Sequence, residues 1–208
     1  MKLLAEQVER LEQFLERIKS QTYPEPPSPV HGPIIEKMVP DTLKLLNLPA
    51  GARVLDVGCG QGVAMGMFRD AGLEVIGVTL NEEDRDVCAR NGLDVRLMDQ
   101  SFLDFEPESF DMLWVRHCLE HSIFPYFTLE GFARVLKKGG WLYVEVPAPD
   151  TSCKHQTNPN HYSVLGKSMW ESLFGRAGFV SHAVASHTPQ TGMGPDAYWT
   201  FLMRKKSA

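Results

Sequence analysis

Val54-Leu55-Asp56-Val57-Gly58-Cys59-Gly60-Gln61-Gly62 is the stretch on which the reading of this chain turns. Val54, Leu55 and Val57 make a short apolar run between Gly51 and Gly58, the pattern of a strand buried on both faces of a parallel sheet. Gly58, Gly60 and Gly62 follow at every second position and carry no Cβ, so backbone there can lie directly against a ligand. Gly62 opens a helical pattern through Val63, Met65, Met67 and Phe68, whose first amides point back into the turn. Strand, turn and helix form a nucleotide-type cradle. A dinucleotide cradle is spaced G-x-G-x-x-G and receives a pyrophosphate. Here the spacing is G-x-G-x-G, with Asp56 two residues before the first glycine. A carboxylate at that point repels phosphate and suits a cationic ligand, an ammonium or a sulfonium.

Outward from this cradle, short apolar runs alternate with helical ones, which predicts βαβ units and a parallel sheet. Strands are expected at 54–58, 74–80, 94–98, 110–115 and 139–146, and helices at 62–70, after Asn81, at 124–136 and at 167–177. Asn81 is the expected cap of its helix, with Glu82, Glu83 and Asp84 in the first turn. Residues 179–186 and 198–203 flank Gly192-Met193-Gly194-Pro195 and read as an antiparallel hairpin. Upstream, Leu4, Val8, Leu11, Leu15 and Ile18 alternate at spacings of four and three. This seam predicts an amphipathic helix packed on its own domain; a lid over the site and a dimerising helix are the other readings. The five prolines between residues 21 and 33 predict an extended linker, which divides the chain into 1–33 and 34–208. Residues 34–47 recover helical spacing, with a break expected at Pro40-Asp41.

A length of 208 residues suits one α/β domain, and a hydrophobic fraction of 43% with 23% charged is ordinary for a globular chain. The net charge of -5 gives no electrostatic reason to expect nucleic acid, and no apolar run approaches the ~20 residues of a membrane span. The N-terminus lacks a basic-then-apolar signal pattern, so a cytoplasmic protein with reduced thiols is expected.

The D-x-G-x-G-x-G wording around Asp56 resembles motif I of the class I S-adenosylmethionine-dependent methyltransferases. Asp99-Gln100-Ser101-Phe102-Leu103-Asp104-Phe105 with Ser109-Phe110-Asp111 resembles that family's D-A-x-x-L-P-F…S-F-D. Leu119-Glu120-His121 is similar to a wording of its ubiquinone-biosynthesis-like, type 11 branch. Leu136-Lys137-Lys138-Gly139-Gly140-Trp141 looks like L-K-P-G-G-x, with Lys138 in the proline position. The resemblance implies a Rossmann-like, doubly wound sheet of seven strands in the order 3-2-1-4-5-7-6, strand 7 antiparallel, and S-adenosylmethionine as cofactor. It implies cofactor contacts at Asp56, Gly58, Cys59, Gly60, Gln61 and Gly62. Further contacts are implied at Thr79, Leu80 and Asn81, at Asp99, Gln100 and Ser101, and at Arg116 and His117. Thr79 departs from the family, which usually has an acidic residue there for the ribose; the cyclopropane fatty-acid synthase relatives share the Gly-Val-Thr-Leu wording.

Past the fourth strand, His117 and His121 would share a face as i and i+4 if the segment is helical. His121 is a candidate general base, with His117 beside it, because imidazole titrates near neutrality. Both are alternatively structural, and a third reading joins them to Glu120, His155 or His161 around a metal. Two histidines alone do not make a site, and no metal is expected. The polar loop 151–163 is the expected acceptor region through His155, Asn158, His161 and Tyr162. With no Asn-Pro-Pro-Tyr-type sequence after the fourth strand, the expected acceptor is a small hydroxylated metabolite, a sugar or quinone precursor. A catalytically silent methyltransferase-like scaffold and a nicotinamide-dependent oxidoreductase are the rival readings.

Overall fold

The computed structural model describes residues 2–24 and 26–207; Met1, Ala208 and Glu25 of the proline-rich segment lie outside the described residues. In chain order the elements are α1 (Ala5–Lys19), α2 (Gly32–Leu46), β1 (Arg53–Val57), α3 (Val63–Asp70), β2 (Glu74–Thr79), α4 (Glu82–Arg90) and β3 (Asp94–Leu97). They continue with β4 (Phe110–Arg116), α5 (Pro125–Val135), β5 (Leu136–Pro147), α6 (Lys167–Arg176), β6 (Phe179–His187) and β7 (Tyr198–Lys205). The sheet runs β3-β2-β1-β4-β5-β7-β6, with β7 antiparallel to both neighbours and the other pairs parallel. This is the expected seven-stranded Rossmann-like order. A separate ribbon, Gln190–Thr191 against Gly194–Pro195, fills the β6–β7 connection.

Strand parity sorts the core into two layers. Leu55, Val57, Leu113, Val115, Leu142 and Val144 face α5 and α6, meeting Leu129, Phe132, Trp170 and Phe174. Val54, Met112, Trp114, Tyr143 and Leu202 face the other way, onto Val39 and Leu46 of α2 and Ala64 and Phe68 of α3. Burial on both faces makes the central strands near-continuous apolar runs, which is why they were legible. The Asn81 side chain accepts from the Asp84 amide at 3.1 Å, and three acidic residues sit in that first turn of α4, as expected of a capped helix.

Two expectations fail here. Pro40 does not break the second helix: α2 runs unbroken through it. An interior proline costs about 3 kcal/mol. Val39 and Leu46 are buried, with Ile35, Met38 and Leu43 partly so, and each buried side chain contributes ~1.5–3 kcal/mol. Packing therefore outweighs the lost hydrogen bond. The N-terminal helix also does not pack as an ordinary amphipathic helix, since α1 buries no residue and Leu4 stays 60% exposed. Its last turn reaches the ligand side of the sheet instead.

Trp114 is 1% exposed, stacked on Tyr143 at 3.8 Å and edge-on to Phe68 at 5.5 Å. Trp114→Ala is expected to lower stability by about 3–5 kcal/mol, read as a fall in urea midpoint at unchanged m-value.

Candidate active site

The row of side chains that makes the α2/α3 layer does not stay apolar. Continuing by twos toward the carboxyl edge of the parallel strands, Val54 gives way to Asp56, Trp114 to Arg116 and Tyr143 to Glu145, and on antiparallel β7, toward its amino end, Leu202 gives way to Thr200 and Tyr198. Register puts Arg116 beside Glu145, Glu145 beside Thr200, and Tyr198 between Pro147 and His187. One sheet face is therefore core at one end and site at the other.

At the β1 turn, Gly58, Gly60 and Gly62 have φ of 73°, 48° and 80°, left-handed backbone that favours glycine. A Cβ on Gly58 would also meet Cys118 Sγ at 2.6 Å. Around this turn opens a cavity lined by Gly58, Gly60, Thr79, Leu80, Asn81 and Asp99, with Gln100 beside them. Asp99 Oδ1 is taken by the Ser101 amide at 2.7 Å, and Gln100 donates to the Cys118 carbonyl at 2.8 Å. Gln100 Oε1 is buried without a hydrogen-bond partner, an unmet acceptor suited to an amino group. Asp56, 3% exposed, has its pKa pushed up to about 7 by burial, with the Arg116 charge opposing. A ligand ammonium would return it to the carboxylate. These features fit S-adenosylmethionine, with Asp56 at the ammonium and Gln100 and Asp99 at the adenine end.

A second cavity continues from Asp56, Cys59 and Gln61 along Arg116 to the loop after β5. His31, His117, His121, His155 and His161, five of the chain's seven histidines, line it. The two cavities meet at Gly58, Gly60, His117, His121 and Tyr23. Beneath lies Glu145, fully buried, with Arg116 Nε at 2.8 Å and His117 Nε2 at 2.9 Å from Oε1 and the Tyr143 hydroxyl donating at 3.0 Å to Oε2. Burial alone would raise this carboxyl, yet His117 and the Arg116 charge hold it at about 2. Burial, with Arg116, lowers His117 to about 3, so the imidazole is neutral and the ion pair is Arg116–Glu145. His117 stacks on Tyr198 at 4.5 Å, and His31 meets it edge-on at 4.8 Å. Across the cavity, Asp196 accepts from Tyr198 and holds His155 Nε2 at 2.9 and 3.0 Å.

The helical i, i+4 pairing of His117 and His121 is not formed. His117 has φ of 51° and only residues 119–121 make a short 3-10 turn. The backbone bends here because the His117 amide still pairs with the Glu145 carbonyl, at 2.9 Å, before the chain leaves the sheet. His121 Nδ1 instead faces the Asn160 carbonyl at 2.9 Å. Burial lowers His121, and lowers His161 to about 4. Glu120, His121 and His161 each bring a ligating atom within 4.8 Å of the others. His155, Asn158 and His161 reach the second cavity, whereas Tyr162 lines the first and donates to Gln21 Oε1 at 3.4 Å. Ser101 lines neither; its hydroxyl pairs with Thr128 at 2.7 Å. Thr79 Oγ1 accepts from the Asn81 amide at 3.1 Å. Sequence reasoning missed Glu145 and Tyr198, which strand register brings in, and His31 and Asp196, which arrive from the start of α2 and from the β6–β7 connection. Tyr23 and Pro24 were also missed, whereas Ile18 belongs to the seam for which a lid was one reading; through these three the N-terminal segment walls the cavities. Asn160 Nδ2 donates to the Gln21 carbonyl at 3.0 Å, tying that segment to the acceptor loop.

Asp56 yields a test with a definite sign. Its folded pKa stands above the ordinary carboxyl value of 3.8, so the native state holds a proton between about 3.8 and 7 and this group lowers stability as pH rises through that window. Asp56→Asn is expected to gain stability relative to the parent at pH ~8 and much less at pH ~4, by denaturant unfolding. A uniform loss at both pH values would mean a structural role.

Residues 55–144 match a family model described as a methyltransferase domain, Methyltransf_11. A sarcosine/dimethylglycine N-methyltransferase of Aphanothece halophytica is 33% identical over 140 residues, 63% of this chain and 50% of the relative. A ubiquinone biosynthesis O-methyltransferase of Paracidovorax citrulli (strain AAC00-1) is 31% identical over 101 residues, 45% of this chain and 42% of the relative. The chain thus spans about half or less of the length of these curated relatives. In fold it is similar to the crystal structure of a SAM dependent methyltransferase from Archaeoglobus fulgidus, with a TM-score of 0.66, 18% identity, and coverage of 82% of this chain and 94% of that one. The glycine cradle, the strand order and this match agree: over residues 55–144 the chain carries a methyltransferase domain of the type 11 description.

Proposed function

We propose that this protein transfers a methyl group from S-adenosylmethionine to a hydroxyl oxygen of a small molecule. The observation that carries the reading is the shared wall: the cofactor cradle and the imidazole-lined cavity meet at Gly58, Gly60, His117 and His121. The cofactor, when bound, supplies a methyl already activated on a sulfonium. What remains for the chain is to hold, orient and keep dry. Asp56 holds the ammonium, Gln100 and Asp99 hold the adenine end, and Thr79, Leu80 and Asn81 flank the ribose. The α1 end with Tyr23 and Pro24 covers both cavities from solvent. His155, fixed by Asp196, orients the acceptor together with Asn158.

The oxygen assignment rests on what the second cavity offers. Burial lowers His31, His117, His121 and His161 and keeps them neutral, so they suit a hydroxyl donor. Of the carboxyl groups around the cavity, Glu145 and Asp196 are committed to Arg116 and His155 and Asp56 to the cofactor side, so an ammonium acceptor would meet Glu120 alone among four neutral imidazoles. One set of relatives is named for oxygen and one for nitrogen, which leaves the cavity as the deciding argument. Four cysteines, none joined in a disulfide among the described residues, fit a reducing, cytoplasmic setting. Among the described residues no helix is long and apolar enough to cross a membrane.

The experiment is labelled methyl transfer from S-adenosylmethionine to hydroxylated and to amine small molecules, beside calorimetric binding of S-adenosylhomocysteine. Label on the hydroxylated set supports the proposal; label on amines alone overturns the oxygen assignment, and absent binding overturns the cofactor site. Asp56→Asn is expected to weaken S-adenosylhomocysteine about 10–100-fold, the loss of one charge-assisted bond of ~1.5–3 kcal/mol.

A further inference from the structure

Glu120 and His121 come from the short turn after β4, and His161 from the loop between β5 and α6. The fold brings one ligating atom of each within 4.8 Å of the other two, and all three side chains line the acceptor cavity. His121 has the outer contact that metal-bound imidazoles usually have. Its Nδ1 lies 2.9 Å from the Asn160 carbonyl, which can only accept, so Nδ1 carries the hydrogen and Nε2 keeps the lone pair. His161 Nδ1 is buried with no hydrogen-bond partner, a condition that costs about 1–3 kcal/mol for a polar atom. The two rings meet edge to face at 4.6 Å.

We propose that Glu120, His121 and His161 bind a divalent transition-metal ion of the zinc class, whose open position faces the acceptor cavity and takes the acceptor's hydroxyl oxygen. Two imidazoles, one carboxylate and an open position form the donor set of catalytic zinc sites, whereas magnesium is served by oxygen ligands alone. Bonds of ~2.0–2.2 Å in a tetrahedral site set ligand atoms about 3.4 Å apart, so binding draws the three together by at most about 1.4 Å. Ring rotation and a small shift of the 151–163 loop supply that closure. The ion increases the acidity of the coordinated hydroxyl: the O–H bond breaks, the proton passes to water, and the electron pair stays on oxygen as the nucleophile. The identity of that oxygen ligand rests on the methyl-transfer reading; the metal centre itself does not. Cys153, His155 and Asp196 form a second group within 4.8 Å, but Asp196 is already taken by His155 and Tyr198.

The test is titration of the chelator-treated full chain with Co2+, followed by visible absorption, with S-adenosylhomocysteine binding measured on the same samples. One Co2+ per chain with the intense bands of a four- or five-coordinate ion is expected, unchanged in Cys153→Ser and not displaced by millimolar Mg2+. His161→Ala should weaken Co2+ by more than about a hundredfold, beyond the 10–100-fold of losing an outer partner alone. Its metal-free unfolding midpoint is measured alongside, and the parent chain's stoichiometry and Mg2+ competition decide the matter if the variant misfolds. Absence of a stoichiometric band, equal Co2+ binding in His161→Ala, or displacement by Mg2+ overturns the metal centre. S-adenosylhomocysteine binding retained without Co2+ binding overturns the metal centre alone. Co2+ binding without S-adenosylhomocysteine supports the centre and removes the methyl-transfer reading.

Discussion

The buried carboxylate of Glu145 is the constraint around which the ligand side of this fold is built. A charge at full burial is tolerated only with a close partner, and Arg116 from the neighbouring strand supplies it at 2.8 Å. Holding that pair fixes the end of β4 against β5, and through the Tyr143 hydroxyl it is joined to the apolar layer below. Replacing one partner would leave the other charge stranded in a low-dielectric setting, so the two residues stand or fall together. His117, Tyr198 and His31 then pack as rings over the pair, and their spacing defines the floor of the acceptor cavity.

The same physics explains why the site lies where it does. Parallel strands that begin in a shared core must end at a common edge, and side chains of one parity run straight from one to the other. Trp114 and Arg116 are two residues apart on one strand, yet the first is packed among Phe68 and Tyr143 and the second is the counter-ion of a carboxylate. Asp56 is reached in the same way from Val54. Its raised pKa records the cost of placing a carboxyl at the boundary between these environments, where burial strips most of the solvation from its charge.

What could be read from the sequence was what local pattern encodes. The glycine turn, the alternation of strands and helices, the Asn81 cap and the antiparallel seventh strand all depend on periodicity or on residues a few positions apart. Pro40 was misread because a propensity rule was set against packing that the chain reveals only when folded. The i, i+4 pairing of the two histidines depended on a helix, and sheet pairing of the His117 backbone persists there instead. Glu145 looked like any residue in an apolar strand, and Tyr198, Asp196 and His31 carried no spacing signal at all. Their roles come from strand register and from contacts between residues far apart in the chain, 41 positions for His155 and Asp196 and 85 for His31 and Arg116, which no window along the sequence contains.

Gln21 is hydrogen-bonded by both Asn160 and Tyr162, and this small latch has a kinetic consequence. The segment that roofs the cofactor cavity and the loop that walls the acceptor cavity are fastened to each other rather than to the sheet. Neither can swing aside without releasing the other. Moving either one away from the cavities breaks the same two hydrogen bonds, so the two openings draw on one contact. An anchoring of the first twenty residues to any outside surface would load that contact directly.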